Sequence, residues 1–296
     1  VPRRRLDRRA VVRVGVPVVL VVLSLVLTSL ATPQDREPSY GRYVAFGDSF
    51  TAAPYVPVTD LASGCLRSDR NYAQRVAEEL RIPTLLDRSC TGAQTSDLLG
   101  SQRTRLGVDV APQAAVLSAD TDLVTVGLGF NDERLYGRIA SRCRQVADVC
   151  RLADERTMLL GIVDRVSLSL RLSLLDIRRR APRARVLLVG YPRMLPPRGD
   201  CIELPRMRPQ DRATFREVNR ELGEQMRLAA RQSQVEYVDF YRYSRGHDIC
   251  SDTPWVQGRT GQGRRAAGMH PLPAGQRALA RLISDTLREP PPDLLG

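Results

Sequence analysis

Tyr43-Val44-Ala45-Phe46-Gly47-Asp48-Ser49-Phe50 reads as a short buried strand that ends on glycine and delivers a serine at the first turn beyond it. A glycine at a strand end lets the backbone turn sharply with no Cβ in the way. The following residues then leave the sheet at its carboxyl edge, where open α/β sheets keep their sites. Ser49 is therefore the candidate nucleophile. Glycine, aspartate and serine are also the ordinary residues of turns, so the reading depends on whether the rest of the chain supplies a base and an oxyanion hole.

Outward from this stretch, periodicity alternates between strand and helix. Tyr72 to Leu80 has apolar residues at helical spacing, and Leu85 and Leu86 suit a second short strand. Leu123 to Leu128 is a buried strand. Asp154 to about Arg180 reads as a long amphipathic helix stopped before Pro182, and Val186 to Val189 as another strand. Phe215 to Ala230 is helical, Val235 to Phe240 a strand, and Ala274 to Leu287 a closing helix behind Pro271 and Pro273. Such alternation implies a parallel sheet covered on both faces, an α/β fold built as a three-layer α/β/α sandwich with about five strands.

The chain is long enough for one such domain behind a leader. Arginines 3, 4, 5, 8, 9 and 13 precede an apolar run from Val14 to Leu30, which closes on Ser29-Leu30-Ala31. A basic region, an apolar region and a small-x-Ala site are the parts of a secretory signal peptide, although the run is also close to the shortest span that crosses a bilayer. Residues 1–31 thus read as a cleaved leader or an uncleaved anchor, 32–41 as a linker, 42–289 as the domain and 290–296 as a disordered tail.

Six cysteines, even in number and with no Cys-x-x-Cys pair, read behind such a leader as three disulfides of an exported protein, with the pairing open. A zinc site is disfavoured because the only histidines are His247 and His270. The net charge is +12, and all 45 basic residues are arginine. Scattered positive charge suits weak attraction to an anionic membrane or wall polymer. Nucleic acid is a poor fit, for no recognition signature stands out. The expected state is a monomer.

Three further segments lie where sheet-edge loops belong: Ser89-Cys90-Thr91-Gly92-Ala93, Gly129-Phe130-Asn131-Asp132, and His270-Pro271-Leu272-Pro273-Ala274-Gly275. A serine hydroxyl needs a base, and histidine suits that task near neutrality, which makes His270 the candidate. A tetrahedral intermediate needs fixed donors for its oxyanion. Gly92 can offer an unobstructed N–H, Asn131 a side-chain amide and Ser49 its own N–H. Asp48 and Asp132 read as scaffolding for their loops, and His247, beside a cysteine, as structural. Gly127-x-Gly129 lacks the third glycine of a dinucleotide loop, and no cofactor is implied.

Taken together, Gly-Asp-Ser-Phe at 47–50, Gly92, Gly-x-Asn-Asp at 129–132 and His-Pro at 270–271 resemble, in order and approximate spacing, the blocks of the SGNH hydrolases, the GDSL lipases and esterases. The resemblance spans about Tyr43 to Leu287 and implies a flavodoxin-like sandwich. It also implies Ser49 as nucleophile, His270 as base, and an oxyanion hole of Ser49, Gly92 and Asn131. The cysteines and the Gly246-His247-Asp248-Ile249-Cys250 stretch resemble the secreted bacterial branch, which implies the pairs Cys65–Cys90, Cys143–Cys150 and Cys201–Cys250.

One position departs from the family pattern. Most members carry an aspartate three residues before the histidine, where this chain has Ala267. A triad acid fixes the imidazole tautomer and stabilises the imidazolium. The expectation is a Ser-His dyad with the Ala267 carbonyl holding Nδ1–H, and Asp248 or Asp252 as the alternative acid. The resemblance implies a secreted or envelope-associated lipase or esterase acting on carboxylic esters, fatty-acyl ones first. An O-deacetylase or acyltransferase on wall polysaccharide and a non-catalytic envelope-binding module are the alternatives.

Overall fold

The computed structural model describes residues 39–143, 150–258 and 265–292. Both readings of residues 1–31, most of the proposed linker and the last tail residues lie outside them. Among the described residues no helix is long and apolar enough to cross a membrane.

In chain order the strands are β1 (Arg42–Gly47), β2 (Thr84–Asp87), β3 (Gln102–Arg103), β4 (Asp109–Val110), β5 (Leu123–Gly127), β6 (Arg185–Val189) and β7 (Glu236–Val238). The helices are α1 (Ser49–Ala52), α2 (Tyr72–Glu79), α3 (Leu135–Cys143), α4 (Arg156–Arg180), α5 (Pro209–Gln232), α6 (Phe240–Tyr243) and α7 (Pro273–Arg288). Five strands form one sheet in the order β2-β1-β5-β6-β7, every pairing parallel, while β3 and β4 form a separate antiparallel hairpin.

Alternation along each strand sorts the two faces. Val44, Phe46, Val124, Val126 and Leu188 belong to the core beneath α4 and α5, with Leu159, Val163, Leu170, Val218 and Leu222. Tyr43, Ala45, Leu123, Leu187 and Val189 belong to the opposite core beneath α2 and α7, with Val76, Leu279 and Ile283. Because both faces are covered, the strands read as continuous apolar runs. Each fully buried aliphatic side chain contributes about 1.5–3 kcal/mol.

At the edge away from the site, Arg185 pairs with Glu236 at 2.6 Å, both nearly buried, and donates to the carbonyls of Thr286, Leu287 and Glu289. A guanidinium satisfying the last carbonyls of a helix fixes where α7 ends. That in turn holds the segment that precedes α7.

The register of the two central strands positions the chemistry. Gly47 of β1 stands opposite Gly127 of β5, so both strands end together at the carboxyl edge. A Cβ on Gly47 would meet Thr51 Oγ1 at 2.0 Å, and one on Gly127 would meet the same atom at 2.6 Å. Both glycines therefore make room for the α1 turn to fold back over the strand ends, which explains why the serine-bearing turn needs them.

Three disulfides brace the loops, Cys65–Cys90, Cys143–Cys150 and Cys201–Cys250. The first ties the loop after α1 to the turn after β2.

Candidate active site

Ser49 opens α1 and is buried to 5% exposure. Asp48, fully buried, caps this short helix by accepting the Phe50 N–H at 2.8 Å, while its own N–H donates to the Gly127 carbonyl at 3.0 Å. The turn is pinned on both sides, so the Ser49 hydroxyl has a fixed direction.

His270 comes from the opposite end of the chain and lies 2.7 Å from Ser49 Oγ through Nε2. Its segment is laced to residues 255–257. The Gln257 N–H donates to the His270 carbonyl at 2.8 Å, the Leu272 N–H to the Trp255 carbonyl at 2.7 Å, and the Met269 N–H to the Gln257 carbonyl at 2.9 Å. A Cβ on Gly275 would meet the Trp255 carbonyl at 2.4 Å, so glycine in the first turn of α7 permits this approach. Phe50 stacks on the imidazole with centroids 4.6 Å apart, and Tyr136 meets it edge-on at 5.4 Å.

The expectation that the Ala267 carbonyl orients this ring is corrected. Nδ1 lies 2.8 Å from the Gly268 carbonyl, and Ala267 O instead accepts the His270 backbone N–H at 3.1 Å. The ring reaches back one residue short of the predicted position because Ala267 O is consumed in closing the turn. No carboxylate takes that place: Asp248 accepts the Cys250 N–H, and neither Asp248 nor Asp252 bonds to the ring. With Nδ1–H donating to a carbonyl, Nε2 is left as the acceptor for the serine proton. Burial pushes the His270 pKa down to about 4, offset in part by the Gly268 hydrogen bond, with the nearby Arg105 charge adding to the depression.

The remaining blocks converge on the same place. Gly92 has φ +82°, the left-handed region that favours glycine, and borders the cleft beside Ser49. Neither the Ser49 nor the Gly92 N–H has an acceptor among the described residues. Asn131 Nδ2 lies 3.2 Å from both Asp48 Oδ2 and the Ala93 carbonyl, tying the three loops together. Gly129, at φ +124°, brings this loop against α4, where a Cβ would meet Val166 Cγ1 at 2.9 Å. Asp132 holds the Thr95 N–H at 2.7 Å and the Thr95 hydroxyl at 2.6 Å, and burial raises its pKa.

Sequence reasoning missed Tyr191. It follows β6 at the same carboxyl edge, donates to Asp48 Oδ2 at 2.7 Å and accepts the Phe130 N–H at 3.1 Å. Its place after a strand-end glycine, Gly190, is the signal that could have found it. Burial pushes the Asp48 carboxyl up to about 7 against the pull of the Phe50 amide and the Tyr191 hydroxyl.

His247 stands apart, with its ring on Trp255 at 3.8 Å and Nδ1 2.8 Å from the Thr253 carbonyl. Among the described residues no group of His, Cys, Asp or Glu is arranged to hold a metal ion.

Ser49, Gly92, Asn131 and His270 open on a cleft of about 940 Å³. Its lining includes apolar side chains, Tyr136 and Ile139 of α3 together with Met207 and Phe215. It also includes Arg103, Arg105 and Leu106 of the β3–β4 hairpin. The arrangement joins a hydroxyl, a neutral imidazole acceptor and free amide donors beside space for a substrate, which are the parts of a serine ester hydrolase.

Comparison with known proteins agrees. The model of the GDSL-like Lipase/Acylhydrolase family matches residues 45–278. Lipase 2 of Streptomyces coelicolor is 32% identical over 273 residues, covering 88% of this chain and 90% of that protein. The extracellular lipase of Streptomyces rimosus superposes with TM-score 0.71 at 23% identity, over 84% of this chain and 99% of that one. Phospholipase A1 of Streptomyces albidoflavus superposes with TM-score 0.67, also at 23% identity, over 85% and 100%. Those two likenesses speak to the fold. The chain belongs to the GDSL-like lipase/acylhydrolase family and is a carboxylic ester hydrolase.

Proposed function

We propose that Ser49 is the nucleophile of a Ser-His dyad that hydrolyses fatty-acyl esters outside the cytoplasm. The 2.7 Å contact between Ser49 Oγ and an imidazole held as an acceptor is the observation that carries the reading. Oγ attacks the ester carbonyl as its proton passes to Nε2 of His270. The oxyanion meets the free N–H groups of Ser49 and Gly92 and the Asn131 amide. That amide is held by two acceptors at 3.2 Å, the long end of the range, so sharing a hydrogen with an oxyanion costs little.

Collapse of the intermediate breaks the bond to the alcohol, which leaves with the proton from Nε2. Water then attacks acyl-Ser49, gives its proton to the same nitrogen, and the acid departs as Ser49 regains its hydrogen. The imidazolium formed twice in this cycle is stabilised by a carbonyl dipole rather than a carboxylate, the weaker of the two partners.

The apolar lining residues Tyr136, Ile139, Met207 and Phe215 favour a fatty chain over an acetyl group. Three disulfides and the leader-like residues 1–31 support an extracytoplasmic site of action. Turnover of p-nitrophenyl esters from acetate to palmitate, beside Ser49→Ala, tests the reading. Preference for medium or long chains is expected. A strict acetate preference would favour the deacetylase alternative.

A further inference from the structure

Tyr191 touches a support of each part of the site without reaching the cleft. Its hydroxyl donates to Asp48 Oδ2 at 2.7 Å, next to the nucleophile in sequence, and accepts the Phe130 N–H at 3.1 Å, next to Asn131. Its ring meets Phe50 edge-on with centroids 5.0 Å apart, and Phe50 in turn stacks on His270. Among the described residues that line the cleft, none is Asp48, Phe130 or Tyr191.

The chain holds this buried tyrosine from both sides. The Gly190 N–H donates to the Val238 carbonyl at 3.0 Å, an approach closed to a larger residue, since a Cβ at 190 would meet the Tyr237 hydroxyl at 2.5 Å and the Val238 carbonyl at 3.2 Å. Beyond the tyrosine, the Arg193 N–H donates to Ser244 Oγ at 2.8 Å.

The two bonds to Asp48 Oδ2 are unequal. Tyr191 donates at 2.7 Å and Asn131 Nδ2 at 3.2 Å. A carboxyl oxygen engaged in a short hydroxyl bond has less to offer a second donor. Asn131 is therefore kept in place yet held loosely enough to turn a hydrogen to an oxyanion. Without the hydroxyl, Asn131 is the partner left to Oδ2 among the described residues, which draws the amide toward the carboxyl group. The Phe130 N–H would at the same time be left buried with no acceptor.

Resting on the dyad and oxyanion-hole reading above, we infer that Tyr191 is a positioning residue for the oxyanion hole. Its hydroxyl couples the turn that carries Ser49 to the loop that carries Asn131, and it sets how strongly Asp48 holds the Asn131 amide. It touches neither substrate nor reacting atoms, so its effect falls on kcat and not on KM.

The test is a double-substitution cycle with p-nitrophenyl butyrate, each variant being assayed well below its melting temperature. Tyr191→Phe keeps the ring against Phe50 and removes only the hydroxyl. The expected result is a fall in kcat of about tenfold with KM within about twofold. In Asn131→Ala, where no amide remains to be positioned, adding Tyr191→Phe should change kcat by less than about twofold. Tyr43→Phe removes another buried hydroxyl, bonded to Thr125 at 2.8 Å, and should leave kcat within about twofold. If Tyr191→Phe does not fold, Asp48→Asn cuts the same link from the other side by setting an amide donor against the Asn131 amide, and the same cycle is run with it. An equal fall with and without the Asn131 amide overturns the role. Wild-type kcat in Tyr191→Phe, beside a loss in Asn131→Ala, overturns the role alone and leaves the oxyanion hole intact. Wild-type kcat in Asn131→Ala overturns both, and turnover that survives in Ser49→Ala overturns the dyad on which both rest.

Discussion

Lowering the pH tests how His270 is held. An ordinary imidazole has a pKa of about 6.5, and at about pH 5.5 it is roughly 90% protonated and useless as a base. His270 is 6% exposed, has a carbonyl rather than a carboxylate behind it, and is pushed down to about 4 by burial first. At about pH 5.5 it is then only roughly 3% protonated, a difference of roughly tenfold in the active form. The acid limb of kcat/KM for a soluble short-chain ester should therefore fall near pH 4 rather than near 6.5.

Proton linkage gives the matching stability statement. The folded pKa of His270 lies below the unfolded one, so the unfolded chain binds more protons between about 6.5 and 4. His270 therefore costs the fold stability progressively as pH drops through that window, by up to about 3 kcal/mol. Asp48 acts in the opposite sense. Its folded pKa is raised to about 7, so its contribution is full at low pH and is lost as pH rises from about 4 through 7. The two oppose each other in a melting profile. A site-specific measurement is cleaner, and the chain has only two histidines. In His247→Gln the one remaining imidazole NMR signal should hold its shift down to about pH 5 and titrate near 4. A midpoint near 6.5 would refute the picture of a buried ring oriented by a carbonyl.

Further outcomes follow from the same geometry. Ala267→Asp, placing a carboxylate where most of the family has one, should raise the His270 midpoint by about one unit or more and move the acid limb of kcat/KM with it. Asn131→Ala should lower kcat by about 10²–10³-fold with a small change in KM, the pattern of a donor used mainly in the transition state. Cys65→Ser/Cys90→Ser, opening a bond between residues 25 apart in sequence, should cost about 3.5 kcal/mol in denaturant unfolding.

The parallel sheet was legible because its strands are buried on both faces and read as apolar runs, as Leu123 to Leu128 shows. The site was legible because its residues cluster at the ends of those strands. Local polar chemistry was harder to read. Helix α5 begins at Pro209, six residues before the expected Phe215, because Asp211 accepts the Arg208 backbone N–H at 3.2 Å and Pro209 opens the helix. Helix α3, which supplies Tyr136 and Ile139 to the cleft, was missed although Leu135, Ile139 and Cys143 recur at helical spacing and form its buried stripe. The strand expected through Phe240 stops at Val238, since Asp239 caps the short helix α6.

His270 shows a finer limit. Its late position marks it as base, yet choosing between the Ala267 and Gly268 carbonyls needs the turn geometry, in which the His270 N–H already occupies Ala267 O. Tyr191 is marked only by its place after Gly190 at the end of β6, and Arg105 reaches the cleft from a hairpin whose sequence carries no motif.

The most direct measurement is covalent labelling by a serine-directed phosphonate, followed by peptide mapping and ester turnover in the wild type and in Ser49→Ala. The account predicts one label, on Ser49, with loss of turnover in proportion to labelling and negligible turnover in Ser49→Ala. A label on another residue, or ester hydrolysis that survives in Ser49→Ala, would contradict it.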